Sequence, residues 1–528
     1  MKRLFWLLLP LLLGACATTS SQHQDLINRA VTAMGGADAL AKISTLNIKG
    51  SARHWAPEQS MVAGGEMRLG GDSAFELSHN LAQNSARVDW VRNLQYPSRR
   101  TFKFSEIVTP DSGFVLGVDS NARNQQNRET KPPAHAMSGL RLATALRELQ
   151  RASPALLLEM RNNPAKVQSI SDIAVGSATY PAVRYDAGNN AYLVLFDAKT
   201  GLPARIRTLD YDNVWGDVTY DLVLGDWRAV SGVQIAYNQK YEMNGRVVAD
   251  VRLADVRINA PVATAALEAP PALKTGAAKP ATGFVPHQWV LRRQFIGVYL
   301  DSEHTSFDGK ASPGLRLNEL APGVQHVVGG SHNSLVVEMR DHLIVFDAPI
   351  SDWQSNWTLA AAKAKYPGKP VKYLVLTHHH MDHAGGLRAY LAQGATLVVG
   401  KGNAAHFRNV LAAPYTRNPD LAARDLRATP VIEVADKHVL SDGSRSVSAH
   451  LTANPHAAGM LIGYVADARV AFVTDIWSPG RDPLPGKITT PLAALVNAVR
   501  QAGIAPLKFA GGHGSTGDYA PLSSLAGQ

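Results

Sequence analysis

Thr377-His378-His379-His380-Met381-Asp382-His383-Ala384-Gly385-Gly386 is the stretch on which the reading of this chain turns. Residues 371–376 before it form a short β-branched run that reads as a buried strand, and residues 387–391 after it read as a helix. The cluster therefore lies on a strand-to-helix loop. In extended backbone, residues i and i+2 point the same way, so His378 and His380 approach one point together. Asp382 and His383 turn toward a second point at the coming helix. Imidazole and carboxylate in this ratio suit zinc or a neighbouring divalent ion. With 18 histidines in 528 residues, the pattern H-x-H-x-D-H arises by chance in about one such chain per thousand. A run of unrelated surface histidines is therefore a poor account of it.

Four further pieces stand in order around this motif. Residues 342–346 read as a strand that ends in Asp347. Pro455-His456-Ala457-Ala458-Gly459 precedes a strand at 460–465, and a strand at 470–474 leads into Asp475. Gly511-Gly512-His513-Gly514 forms a glycine-flanked turn near the C-terminus. Together these pieces, over residues 317–514, resemble the metallo-β-lactamase superfamily. The resemblance implies an αββα sandwich with a dinuclear site at one edge and two Zn2+ or other divalent ions per chain. It assigns His378, His380 and His456 to the first ion, and Asp382, His383 and His513 to the second, with Asp475 bridging. Asp347 would hydrogen-bond the metal-bearing loop without ligating. It also implies the chemistry: a hydroxide held between two ions attacks a carbonyl or phosphoryl centre, and Asp382 shuttles its proton.

The chain departs from the family pattern in places. Asp347-Ala348-Pro349 lacks the usual glycine, and Ala457 stands where Ser or Thr is common. Family members that cut β-lactams often carry Cys or Ser where Asp475 stands. An Asp there is typical of thioester hydrolases (glyoxalase II-like), lactonases, phosphodiesterases and arylsulfatase-like branches. Redox members with a di-iron centre carry Glu where His380 stands, so His380 speaks for zinc and hydrolysis. For substrate contacts the candidates are Tyr415 and Arg417, in the long stretch 402–427, and Trp477 as a pocket wall. His332 and His379 have no ligand slot and read as residues at the rim or directly behind the ligands.

The remainder of the chain supplies context. Lys2 and Arg3 precede an apolar run of ten, residues 4–13, which ends in Leu13-Gly14-Ala15-Cys16. A bilayer-spanning helix needs about 20 residues, so the run suits a signal-peptide core. Cys16 is the only cysteine, and the stretch resembles the lipobox of bacterial lipoproteins. That resemblance implies lipidation at Cys16 and a membrane anchor, and Ala17 in place of Asp points to the periplasmic side of the outer membrane rather than the inner one. A lone cysteine also excludes an internal disulfide framework. Lys+Arg exceed Asp+Glu by 53 to 43, but no run of five basic residues occurs, so nucleic acid is not an expected partner. The expected partners are the membrane and a small-molecule or lipid-like substrate.

Residues 260–283 hold nine Ala and four Pro and read as a linker. The expected organisation is a signal peptide at 1–15, lipidated Cys16 with a polar tether to residue 24, a β-rich domain at 25–259, the linker, and the hydrolase domain at 284–528. The β-rich half combines two helical stretches, 26–43 and 138–160, with short alternating runs. Asn244-Gly245 marks a hairpin, because both central positions of a type I′ turn need φ > 0. This half resembles the half-barrel of the periplasmic lipoprotein-carrier (Lol-type) fold, which implies a place for an acyl chain or another apolar ligand. The fold class expected is α/β: a mainly antiparallel β half-barrel with two helices, followed by the αββα sandwich. The function expected is metal-dependent hydrolysis of an ester, lactone or thioester-like bond. The alternatives are a lipoprotein carrier or sensor with a structural metal domain, and β-lactamase or phosphodiesterase activity.

Overall fold

A computed structural model describes residues 14–96, 99–119, 134–268, 271–274, 276–283, 285–296, 315–418, 425–481 and 483–527. The signal run at 4–13 and the side chain of Cys16 lie outside this description. The chain divides into two units.

The first unit comprises Met1–Trp55, Gly70–Asp210 and Val218–Leu300. Its centre is a 13-stranded sheet. The opening strand Thr45–Ala56 pairs antiparallel with the closing strand Arg246–Ile258, so the two ends of the meander meet in the middle of the sheet and the other strands run outward on both sides. Asn244 and Gly245 turn the last hairpin at φ 48° and 78°, as the turn chemistry requires. The stretch 138–160, expected as one helix, is two: Gly139–Arg151 and Leu156–Asn162. The break contains Pro154, which lacks an N–H and disfavours helical backbone at Ser153.

Helix Gly139–Arg151 starts where the Ser138 hydroxyl accepts from the Arg141 N–H. Leu142 packs with Leu94, Phe102, Phe104 and Val115. The same helix buries three arginines, a row the leucine pattern did not reveal. Buried charges must be paired, because each costs several kcal/mol to desolvate. Arg141 lies 2.6 Å from Glu106 and 2.7 Å from Asp119, Arg147 lies 2.8 Å from Asp210, and Arg151 lies 2.5 Å from Glu148. Helix His287–Ile296 packs on this helix. A cavity of about 50 Å³ is lined by Met34, Leu46, Ile48, Trp227 and Leu253 among others, room for a few water molecules at about 10–15 Å³ each. Among the described residues no helix is long and apolar enough to cross a membrane.

Two histidines of this sheet make its stability depend on pH. Burial pulls His54 down to about 3, with Arg92 adding to it, and burial pulls His79 down to about 4. Below about pH 6.5 the unfolded chain takes up protons that the folded chain refuses, so stability is fully present above that pH and is lost as pH falls toward 4. Between pH 7 and pH 5 each histidine is expected to cost about 2 kcal/mol. Urea unfolding at the two pH values checks this, and His79→Gln should remove about half of this pair's contribution.

The second unit comprises Ala56–Leu69, Tyr211–Asp217 and Asp301–Gln528. It is the expected αββα sandwich, with a seven-stranded and a six-stranded sheet. In the first sheet, strands Leu343–Phe346, Val371–Val375, Thr396–Gly400 and Val431–Val434 run parallel. In the second, Val470–Val473 runs parallel to Lys508–Gly511. Short all-apolar strands such as LIVF and VAFV are what a sheet buried on both faces demands. Leu335, Phe346, Val375, Val398, Val447, Leu461 and Phe472 fill the space between the sheets. On the outer side of the second sheet, Leu495, Val496 and Val499 of helix Thr490–Gln501 pack against Ile462, Val473 and Phe509.

Candidate metal centre

The strands deliver the polar residues of the site to one edge. Asp347 follows strand Leu343–Phe346, the histidine motif follows Val371–Val375, Asp475 follows Val470–Val473, and His513 follows Lys508–Gly511. His456 precedes Met460–Val465. His380 stands at the N-cap position of the short helix Met381–Ala384, which carries Asp382 and His383. The paired glycines of the motif have a steric reason. A Cβ on Gly385 would overlap the Ile350 carbonyl, and one on Gly386 would overlap the Ser355 hydroxyl. Asp347 and Asp475 both adopt positive φ, 61° and 52°, a conformation that costs a non-glycine residue free energy and clusters at functional sites.

Two ligand groups form. His378, His380 and His456 make the first, and Asp382, His383, Asp475 and His513 make the second; within each, the ligand atoms lie within 4.8 Å of one another. His456 Nε2 is 3.0 Å from His380 Nδ1. His383 Nε2 is 3.1 Å from His513 Nε2. Asp475 lies between the groups: one of its oxygens is 2.8 Å from His383 and 3.4 Å from His378, and the other is 3.0 Å from His513.

The outward ring nitrogens explain why the inward ones are open. His383 Nδ1 donates to Asp347 at 2.8 Å, and Asp347 also accepts from the Thr377 N–H and hydroxyl at 2.7 and 2.9 Å. His378 Nδ1 faces the Thr377 hydroxyl at 3.1 Å. These bonds set the tautomers that leave Nε2 of both rings as an electron-pair donor. His378 Nε2 is buried and has no hydrogen-bond partner. A buried orphan nitrogen aimed among two histidines and a carboxylate fits a metal ion, whose nitrogen ligands sit at about 2.0–2.1 Å.

The electrostatics agree. Burial, reinforced by the neighbouring rings, holds His378 well below the usual histidine range and His380 at about 4, so both stay neutral, as ligands must. Burial works against the charged form of His383 too, but Asp475 and Asp347 outweigh it and raise its pKa. Burial pushes Asp475 and Asp382 up, and the surrounding histidines more than reverse that, so both carboxylates remain ionised.

The expected substrate residues fall elsewhere. Tyr415 is buried, and its hydroxyl donates to the carbonyls of Asn213 and Val214 at 3.3 and 2.9 Å. The Arg388 guanidinium lies 3.5 Å over its ring. Tyr415 thus packs against segment Tyr211–Asp217 rather than offering its hydroxyl to a ligand. Arg417 is tied to Asp217 through its backbone N–H and its side chain is exposed. Trp477, expected as a pocket wall, packs into the core with its ring 5.4 Å from Phe509. Packing thus uses the side chains of Tyr415 and Trp477, while that of Arg417 stays in solvent.

Other residues at the site carried no motif. His332, expected at the rim or directly behind the ligands, is buried, with Nε2 3.4 Å from Asp382 and its ring 4.4 Å from that of His513. Gln59 and Ser60 reach the motif from more than 300 positions away. Gln59 donates to Asp382 Oδ1 at 2.8 Å, and the Ser60 carbonyl accepts from His380 Nε2 and His379 Nε2, each at 2.9 Å.

Residues 327–516 match the family model of the metallo-beta-lactamase superfamily. The C-terminal half thus carries a metallo-beta-lactamase superfamily domain, with a hydrolase-like fold and groups of His and Asp that could hold a metal ion. Among solved structures, the stereoselective inverting sec-alkylsulfatase Pisa1 from Pseudomonas sp. is 14% identical with a TM-score of 0.32, covering 40% of this chain and 40% of its own. A metallo-beta-lactamase from Pontibacter korlensis is 18% identical with a TM-score of 0.30, covering 40% of this chain and 97% of its own. The flavodiiron protein from Giardia intestinalis is also 18% identical, with a TM-score of 0.29 and coverage of 40% and 57%. No curated protein matches the chain.

Proposed function

We propose that this protein is a zinc-dependent hydrolase that cuts an ester, lactone or thioester-like bond and is held on the periplasmic side of the outer membrane through lipidated Cys16. The observation that carries this reading is the pair of converging ligand groups with Asp475 between them. Bound there, two divalent ions would supply an activated hydroxide and polarise the electrophile. The chain's own contribution is to keep the His378 and His380 rings neutral, to hold the orientation of His383 and His378 through Asp347 and Thr377, and to keep the Asp382 carboxylate ionised beside the nucleophile's place, where it can accept a proton.

The test is elemental analysis of the protein lacking residues 1–16, run beside a panel of ester, lactone, thioester, phosphodiester and β-lactam substrates. About two zinc ions per chain with turnover on one class supports the reading and names the bond. No metal and no turnover transfers weight to a lipoprotein carrier or sensor, and a lipid-binding assay on the first unit then becomes the deciding experiment.

A further inference from the structure

We infer that the segment Ala56–Leu69, which the chain lends from its first half, is a working part of the metal centre, with Gln59 as the positioning residue for Asp382. The inference rests on the reading that the two ligand groups hold metal ions, and it goes beyond that reading by assigning roles outside the C-terminal half.

The segment touches both loops that carry ligands. On the motif loop, Gln59 Nε2 donates to Asp382 Oδ1 at 2.8 Å, while Asp382 Oδ2 faces His383 at 3.8 Å and His332 at 3.4 Å. The carboxamide therefore occupies one carboxylate oxygen and leaves the other turned into the second ligand group. The Ser60 carbonyl takes the Nε2 proton of His380 at 2.9 Å. That fixes the ring in the tautomer whose Nδ1 carries the electron pair, and Nδ1 is the atom that meets His456 Nε2. On the other loop, the Met61 carbonyl accepts from the Ala458 N–H at 2.8 Å, and Arg68 donates to the His456 carbonyl at 3.1 Å. Gln59 and Ser60 are 7% and 1% exposed, so water does not compete for these bonds. One segment thus spans the ligand loops, sets one ligand's tautomer and holds another ligand's carboxylate, the kind of support whose loss lowers metal affinity about 10–100-fold.

The test uses the full chain and reads zinc affinity by competition with a chromophoric chelator, independently of turnover. Gln59→Met keeps the side-chain volume and removes the donor; Gln59→Glu keeps the shape and places an acceptor against the carboxylate. Weakening of one of two zinc sites by about 10–100-fold in Gln59→Met, and by more in Gln59→Glu, is the expected result. In cobalt-loaded protein the visible bands of the weakened site should shift, while the thermal melt of the metal-free protein stays close to that of the original chain. If the original chain holds two zinc ions and both variants hold them equally tightly, the positioning role is overturned and the hydrolase reading stands. If the original chain holds none, the metal reading itself fails and takes this inference with it. Should Gln59→Met not fold, the isosteric Gln59→Glu decides alone.

Discussion

Asp475→Ala is expected to lower metal retention at both ligand groups and to reduce turnover by about 10³-fold or more. Among the described residues, Asp475 is the one carboxylate that faces histidines of both groups, His378 and His456 of the first and His383 and His513 of the second, at 2.8 to 3.8 Å. Its removal takes away the negative charge that draws cations into a cluster of imidazole rings. Metal chemistry contributes several kcal/mol of transition-state stabilisation, and each 1.36 kcal/mol is tenfold in rate, which sets the size of the loss. His380→Ala and Asp382→Ala, each in a single group, are expected to remove activity as well. The first unit should remain folded in all three, because none of these side chains belongs to its core. Zinc content, steady-state turnover on the substrate found by the panel, and circular dichroism together check the result. Full turnover in any of the three would refute the assignment.

The second large effect is expected from a residue that touches no metal. Asp347 is fully buried and accepts three hydrogen bonds, from the Thr377 N–H, the Thr377 hydroxyl and His383 Nδ1. Burial raises its pKa, and the His383 and Thr377 bonds pull against that rise. Asp347→Ala strands all three donors in the interior. Breaking a buried charged network by removing one partner costs about 3–5 kcal/mol, and for a unit of this size each kcal/mol is about 2–4 °C in melting temperature. The second unit should therefore melt about 10 °C lower. His383 also loses the bond that fixes its tautomer, so zinc affinity should fall about 10–100-fold. Asp347→Asn retains an acceptor for Thr377 and should lie between the two in stability. Scanning calorimetry of the metal-free protein separates the stability loss from the metal loss; an unchanged melting temperature in Asp347→Ala would show that the network contributes nothing to the fold.

The histidine motif was legible because its chemistry is local. Residues 378–383 are neighbours in sequence, and their alternation on an extended loop is enough to converge their rings. Asp347, His456, Asp475 and His513 were found because the resemblance implies a polar residue at each of those strand ends and turns, and the apolar runs beside them showed where to look. The hairpin at Asn244-Gly245 was legible for a related reason, since only such residues take two positive φ angles in succession without strain.

Other features depended on residues distant in sequence. The burial of the Gly139–Arg151 arginines depends on partners 35 and 63 positions away, Glu106 for Arg141 and Asp210 for Arg147. Tyr415, Arg417 and Trp477 stood near the motifs, but what a side chain faces is settled by packing, and packing placed two of them in the interior. Gln59 and Ser60 have no motif because a carboxamide donor and a backbone carbonyl leave no signature in sequence. What the sequence alone determined is the histidine motif with its ligand types, because metal chemistry acts over a few residues, and through the resemblance that motif carries, the sandwich it implies. Only the tertiary structure decided that Gln59 and Ser60 support those ligands, because their hydrogen bonds join segments more than 300 residues apart whose meeting no local pattern encodes.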